Sequence, residues 1–114
     1  MEYIGSGRAR DVYALDYDRV VKVAKDVVGV ECNRREWRIW SSAVNIKHIL
    51  VPCIDISEDG KRLIQKRGKR VNEVPPYPDV IKKCNVEKPK QWVEIDGQVK
   101  LADYGCPRLD KKPL

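Results

Sequence analysis

The sequence has few of the residues on which catalytic triads and small metal sites depend. It contains one histidine, His48, around which neither a Ser-His-Asp nor a Cys-His arrangement can be assembled. The four cysteines are Cys32, Cys53, Cys84 and Cys106, and no two of them form a C-x-x-C motif. This spacing gives no local signature of zinc or thioredoxin-like chemistry, and it predicts reduced, mostly buried thiols.

Long apolar runs are also missing. No stretch approaches the roughly 18 consecutive apolar residues of a membrane span. The first ten residues, MEYIGSGRAR, show no basic region followed by an apolar one, as a secretory signal would. We therefore expect a soluble cytoplasmic protein without a membrane partner. The length of 114 residues predicts one domain around one hydrophobic core.

Positive charge is in excess. Lysine and arginine number 23 against 17 aspartates and glutamates, which gives a net charge of +6. Such a balance favours an acidic partner, whether nucleic acid, phosphates or an anionic protein surface. The stretch KRLIQKRGKR contains six cations, here named the basic segment: Lys61, Arg62, Lys66, Arg67, Lys69 and Arg70. This segment is a candidate partner-binding surface, and a solvated strand and turn is the alternative.

The apolar pattern predicts an α+β fold. Strand-like segments occupy residues 1–5, 11–17, 19–25, 48–57 and 61–68. Helical spacing over residues 29–44 predicts one amphipathic helix, whose apolar stripe would be Val30, Asn33, Trp37, Trp40 and Val44. The segments WVEI and QVKL flank an Asp-Gly pair and predict a terminal β-hairpin. We expect a five-stranded antiparallel sheet with one packed helix, followed by this hairpin.

Three short motifs follow one another along these elements: a glycine-containing loop, a lysine on the third strand and an aspartate at residue 103. The stretch GSGRARDVY matches a kinase glycine-rich loop at Gly5, Gly7 and Val12, with Arg10 where the third glycine would stand. The triplet Val20-Val21-Lys22 matches the lysine motif of the third strand, and VKLADYG ends on Asp103 as kinases present their metal-binding aspartate. The order of strands, helix and motifs resembles the small lobe of a protein kinase.

The resemblance implies a nucleotide site. Its lysine would be Lys22, paired with a helix glutamate, for which Glu36 is the first candidate and Glu31 the second. The implied nucleotide-binding residues are Gly5, Gly7, Val12, Val20, Lys22, Glu36 and Asp103. The implied cofactors are ATP and magnesium, with Asp103 and Gln91 as the candidate metal ligands.

The catalytic loop departs from the kinase pattern. Alignment on Lys88-Pro89 sets Cys84-Asn85-Val86 against the H-R-D motif and Gln91 against its asparagine. A valine cannot accept a proton from the attacking hydroxyl, so Val86 removes the catalytic base. We therefore expect no catalytic residues and no required cofactor.

The chain is also too short for the helical large lobe of a kinase. We expect a single domain over residues 1–114, a truncated pseudokinase in which residues 1–68 form the sheet and helix. Residues 69–83 would be a proline-rich connector, 84–105 a remnant of the catalytic segment and 106–114 a tail.

Three functions follow as hypotheses. The first is an inactive kinase-like protein that binds another protein and modulates it, by inhibiting or recruiting it, with Trp92 and the basic segment as candidate contacts. Its DYG motif and Gln91-Trp92 resemble the compact kinase-like proteins of bacteriophages, which implies a viral protein acting on a host factor in the bacterial cytoplasm. The second is an ATP-binding phosphotransferase or nucleotide sensor. The third is a nucleic-acid binder, which ranks last because no known DNA- or RNA-binding motif appears.

Overall fold

The computed structural model describes residues 1–82 and 84–105. Its eight strands are β1 (Glu2–Ser6), β2 (Arg10–Ala14), β3 (Arg19–Ala24), β4 (Cys53–Ile56), β5 (Arg62–Lys66), β6 (Lys69–Arg70), β7 (Trp92–Ile95) and β8 (Gln98–Leu101). One α-helix, α1, spans Val27–Ser42. Three short 3₁₀ helices span Lys47–Ile49, Asp79–Ile81 and Pro89–Gln91.

The strands form two antiparallel sheets. The larger sheet has five strands in the order β1-β2-β3-β5-β4, and the smaller has three in the order β6-β7-β8. The predicted α+β fold is therefore confirmed: a five-stranded antiparallel sheet, one helix, a terminal hairpin and, within the described residues, no helical large lobe. The same part of the chain contains no helix long and apolar enough to cross a bilayer.

The terminal hairpin turns at Asp96 and Gly97, as the Asp-Gly pair predicts. Both residues have positive φ angles, 51° and 81°. Ile95 pairs with Gln98 across the turn, which makes it a two-residue loop of the kind that needs positive φ at both positions. The local sequence thus fixes the register of β7 and β8.

The face that helix α1 buries overlaps the predicted apolar stripe only in part. Asp26 caps its start by accepting a hydrogen bond from the Gly29 amide at 3.1 Å. Its buried residues are Gly29, Asn33, Glu36 and Ile39. The predicted stripe is wrong at Val44, which is exposed beyond the helix end. Asn33 belongs to both the predicted and the buried sets, and Trp37 and Trp40 are partly buried against the core.

The core joins the two sheets. Leu50 forms a bridge with Leu101, and the Val51 amide donates to the Leu101 carbonyl at 2.9 Å. Trp92 belongs to this core: it is 2% exposed, stacks on Tyr77 and donates from its indole nitrogen to the Val86 carbonyl at 2.7 Å. The prediction that Trp92 contacts a partner is therefore wrong, because its ring is enclosed by the protein's own core.

The connector over residues 69–83 contains more structure than its prolines predict. Its first two residues form β6, which pairs with β7, and Asp79–Ile81 forms a 3₁₀ helix. Ile81 is fully buried in the core. A segment with a buried anchor and a strand is part of the domain rather than a linker.

Candidate functional site

Two cations lie on the face of the large sheet that packs against α1. Val12 pairs directly with Lys22 across β2 and β3, and Arg10 pairs with Ala24. Residues that oppose each other, and residues two apart on one strand, share a face. Arg10 and Lys22 therefore project from the same face, and both are buried.

Glu36 of α1 meets both cations. The Lys22 ammonium donates to Oε1 of Glu36, and the Arg10 Nη2 donates to Oε2 at 2.9 Å. Three further groups donate hydrogen bonds to this carboxylate: Gln65 Nε2 at 3.0 Å, the Tyr104 backbone amide at 3.2 Å and the Gly105 backbone amide at 2.8 Å. Glu36 is fully buried and accepts hydrogen bonds from five groups, so its charge is satisfied by the chain itself.

Arg10 also contacts Asp103, which follows β8. Its Nη1 donates to Asn33 Oδ1 at 3.0 Å and its Nη2 donates to Asp103 Oδ1 at 3.0 Å. The side-chain nitrogen of Asn33, Nδ2, in turn donates to the Gly60 carbonyl at 2.9 Å. We name Arg10, Lys22, Glu36 and Asp103 the charged cluster. It contains two cations and two carboxylates, so its formal charges cancel.

The pairing keeps the buried members of the charged cluster ionised. Burial opposes ionisation of Glu36, but the neighbouring Arg10 and Lys22 cations outweigh it and lower the pKa from 4.5 to about 2. Burial likewise opposes the charge on Arg10, yet the carboxylates of Glu36 and Asp103 raise the pKa of its guanidinium above its ordinary value. Glu36 and Arg10, the two members with shifted pKa values, are thus both ionised at neutral pH.

The segment that carries Asp103 is anchored by its neighbours. The Lys22 ammonium donates to the Ala102 carbonyl. The Tyr104 hydroxyl donates to the Val51 carbonyl at 2.7 Å and lies 3.1 Å from the Cys53 sulfur. Burial raises the pKa of both Tyr104 and Cys53, so the phenol and the thiol remain neutral. These contacts hold residues 102–105 against the sheet and the helix.

The glycines of the glycine-rich loop have room for a side chain. A Cβ atom added at Gly5 would meet nothing within 4 Å, and one added at Gly7 would lie 3.8 Å from the Arg10 carbonyl. Val12 and Val20, the other two loop and strand candidates, are half-buried on the sheet. The structure thus places the loop next to the strand that carries Arg10, but it brings only Lys22, Glu36 and Asp103 of the predicted nucleotide-binding residues into the charged cluster.

Magnesium does not fit this arrangement. The Asp103 carboxylate is held by Arg10, and Gln91 is buried with its side-chain oxygen accepting from the Lys88 amide at 3.2 Å. No group of three metal-binding side chains occurs in residues 1–82 and 84–105. Magnesium requires near-octahedral oxygen coordination, and one carboxylate already paired with a guanidinium does not provide it.

The catalytic-loop position is equally unsuited to chemistry. Val86 is fully buried, and its carbonyl accepts the Trp92 indole hydrogen bond. Asn85, which precedes it, is exposed and adopts a positive φ of 56°. Val86, which the sequence alignment sets against the catalytic aspartate of kinases, therefore lies in the core.

The basic segment is divided between the two ends of β5. Lys61 and Arg62 lie at its start and Lys69 and Arg70 beyond its end, and all four are exposed. Of the remaining two, Lys66 lies 3.8 Å from Asp96 and Arg67 3.6 Å from Glu2. Among the described residues, the four exposed cations form no ion pair, so they are available to a partner at two separate places.

The residues that sequence reasoning missed are those with no place in the kinase pattern. In the kinase pattern Arg10 is only a departure from the third glycine, and the pattern gives Asn33, Gln65 and Tyr104 no polar role. Strand alternation was the available signal, because it puts Arg10 on the same face as Val12 and Ala14. A cation on an apolar face requires a buried counter-charge.

Comparison with solved structures gives only a distant similarity. SAICAR synthase from Saccharomyces cerevisiae, in complex with SAICAR, is similar to it with a TM-score of 0.48 and 11% sequence identity. The similarity covers 91% of this chain and 48% of the synthase, so the chain spans about half the length of that protein. No protein-family model matches the sequence, and no curated protein does. The functional inference therefore depends on the chain's own residues.

Proposed function

We propose that this chain is a catalytically inactive, kinase-like protein that binds another protein and inhibits it. The observation that carries the proposal is the position of Val86. The residue that would accept the proton in phosphoryl transfer is an aliphatic side chain enclosed in the core. A change of rotamer or a small loop movement does not supply a base there.

The surface supports a binding role with an acidic partner. Lys61, Arg62, Lys69 and Arg70 are exposed and form no ion pair within the described part of the chain, although Arg70 donates a hydrogen bond to the Ile4 carbonyl at 3.3 Å. Charged side chains at the rim of an interface steer a partner of opposite charge and raise its association rate. The excess positive charge of the whole chain, +6, acts in the same direction.

We further propose that the partner is a bacterial host protein and that the chain is a phage protein working in the host cytoplasm. This part of the proposal depends on the DYG motif, Asp103 to Gly105, and on Gln91-Trp92, which resemble compact bacteriophage kinase-like proteins.

The test combines a phosphotransfer assay with partner capture from a bacterial extract. Incubation with labelled ATP and magnesium should label neither the chain nor the captured protein. Capture should weaken at least tenfold in Lys61→Glu/Arg62→Glu or in Lys69→Glu/Arg70→Glu. The matched control is Lys82→Glu/Lys90→Glu, which changes the same charge at two exposed lysines outside the basic segment.

Three results would contradict the proposal. Labelling that Asp103→Asn abolishes would favour the phosphotransferase alternative. Capture of nucleic acid in place of protein, with steep salt dependence, would favour the nucleic-acid alternative. Equal weakening by the control variant would show that net charge alone, and no particular surface, drives association.

A further inference from the structure

The most unusual contact in the charged cluster is the sharing of one nitrogen by two carboxylates. Arg10 Nη2 lies 2.9 Å from Glu36 Oε2 and 3.0 Å from Asp103 Oδ1. Two carboxylates this close to one point repel each other unless a positive charge lies between them. The guanidinium nitrogen occupies that point.

The two carboxylates differ in their access to solvent. Glu36 is fully enclosed, whereas the Asp103 side chain is 54% exposed. Within residues 1–82 and 84–105, Arg10 is the only cation within ion-pair distance of Asp103. A free cation could therefore approach Asp103 from solvent, but the position next to Glu36 is already filled.

The cation that fills this position is covalently attached and pre-ordered. Arg10 is 8% exposed and is also fixed by Asn33, which is itself held by the Gly60 carbonyl. A tethered cation loses no translational freedom on reaching the carboxylates, unlike a free ion. Its attachment to the chain also gives it a very high effective concentration at the two carboxylates, which a free ion would have to match.

We propose that Arg10 acts as a tethered cation at the Glu36–Asp103 position, so that the chain holds residues 102–105 against the helix without a divalent metal or a nucleotide. The inference goes beyond the proposed function because it concerns the ion requirement of the fold and holds whichever partner the surface binds. It also predicts that the position becomes a cation site when the guanidinium is removed.

The experiment measures thermal unfolding of the full chain in magnesium chloride, methylguanidinium chloride and sodium chloride at equal ionic strength. The wild-type Tm should be the same in magnesium and sodium. Arg10→Ala should lower the Tm by about 10 °C or more, because it leaves a buried carboxylate with a weakened counter-charge. Magnesium or methylguanidinium, but not sodium, should restore part of that loss.

Two controls separate this role from general packing. Arg19→Ala removes a partly exposed arginine that donates two hydrogen bonds to Oδ2 of Asp16, and neither cation should rescue it specifically. In Arg10→Ala/Asp103→Asn one of the two carboxylates is neutral, so the rescue should be lost. If Arg10→Ala does not fold, Arg10→Met gives the same test, since its unbranched side chain retains much of the packing.

The inference is overturned by either of two results. One is a wild-type Tm that rises specifically with magnesium and loses this rise in Asp103→Asn, which would show that a free ion still occupies the position. The other is a folded Arg10 variant that gains no stability from either cation. Neither result bears on partner capture, so the binding proposal is tested separately.

Discussion

Arg10 Nη2 lies 3.0 Å from Asp103 Oδ1, and this contact joins two residues that are 93 positions apart. It ties the second strand of the large sheet to the segment that follows the terminal hairpin. The same nitrogen binds Glu36 of the helix, so three separate elements meet at one guanidinium. The stability of the domain should therefore depend strongly on the charged cluster.

Glu36→Gln should destabilise the protein by about 3–5 kcal/mol, because the Arg10 and Lys22 cations would remain buried without their carboxylate. The measurement is the free energy of unfolding in urea. Glu31→Gln is the matched control on the same helix. Glu31 is exposed and pairs with Arg35 at 3.4 Å, so its loss should cost about 0.5 kcal/mol or less. Equal effects of the two variants would contradict the structural role of Glu36.

Stability should fall in acid partly through Glu36. Its pKa in the folded state, about 2, lies below its ordinary value of 4.5. The stability that its charge contributes is therefore present above pH 4.5 and is lost as the pH falls from 4.5 towards 2. Urea unfolding across this range should show a shallower pH dependence in Glu36→Gln than in the wild type.

The comparison with Glu36→Gln is needed because two surface carboxylates, Asp16 and Asp59, also make stability depend on pH. The side-chain hydrogen bond from Arg19 lowers the pKa of Asp16, and the Lys61 amide lowers that of Asp59. Both aspartates contribute acid sensitivity in the wild type and in the variant alike. A pH dependence identical in the two proteins would show that Glu36 is not ionised in the folded state in the way its contacts indicate.

Tyr104→Phe should cost about 1–3 kcal/mol, because the Val51 carbonyl would lose its hydrogen bond from a buried hydroxyl. Tyr17→Phe is the control: Tyr17 is 92% exposed and should change stability by less than about 0.5 kcal/mol. The measurement is again urea unfolding. A Tyr104→Phe variant as stable as the control would show that water replaces the hydroxyl at no cost.

Gly29→Ala should destabilise the protein by about 1–3 kcal/mol, although alanine favours helices by about 1 kcal/mol over glycine. A Cβ atom at this position would lie 2.4 Å from the Ala9 carbonyl oxygen and 2.8 Å from Ala24. Ser41→Ala, at an exposed position of the same helix, should be neutral or slightly stabilising. A gain of stability in Gly29→Ala would mean that the helix packs less closely on the sheet than the structure shows.

Much of the fold follows from local sequence. Strand alternation, the helical period over α1 and the Asp96-Gly97 turn each determine an element, and together they predict the five-stranded sheet, the helix and the hairpin. Boundaries were less predictable: β4 begins at Cys53, after Pro52, whereas the apolar run begins at residue 48. The residues before Pro52 form a 3₁₀ helix and a core contact instead.

The charged cluster was predictable only in part. Lys22 and Glu36 follow from the resemblance to kinases, and the structure brings them into contact. The role of Arg10 depends on Asp103, and no local pattern reveals a contact between residues 93 positions apart. The predicted stripe of α1 also omits Glu36, whose burial depends on its contacts with Arg10 and Lys22.

The most direct test of the account is calorimetric titration of the wild-type protein with ATP and magnesium, beside Asp103→Asn. The account predicts no saturable heat for the wild type, because Arg10 and Lys22 already neutralise both carboxylates of the charged cluster. Saturable binding that Asp103→Asn removes would contradict it, and would show that the charged cluster is a working nucleotide site.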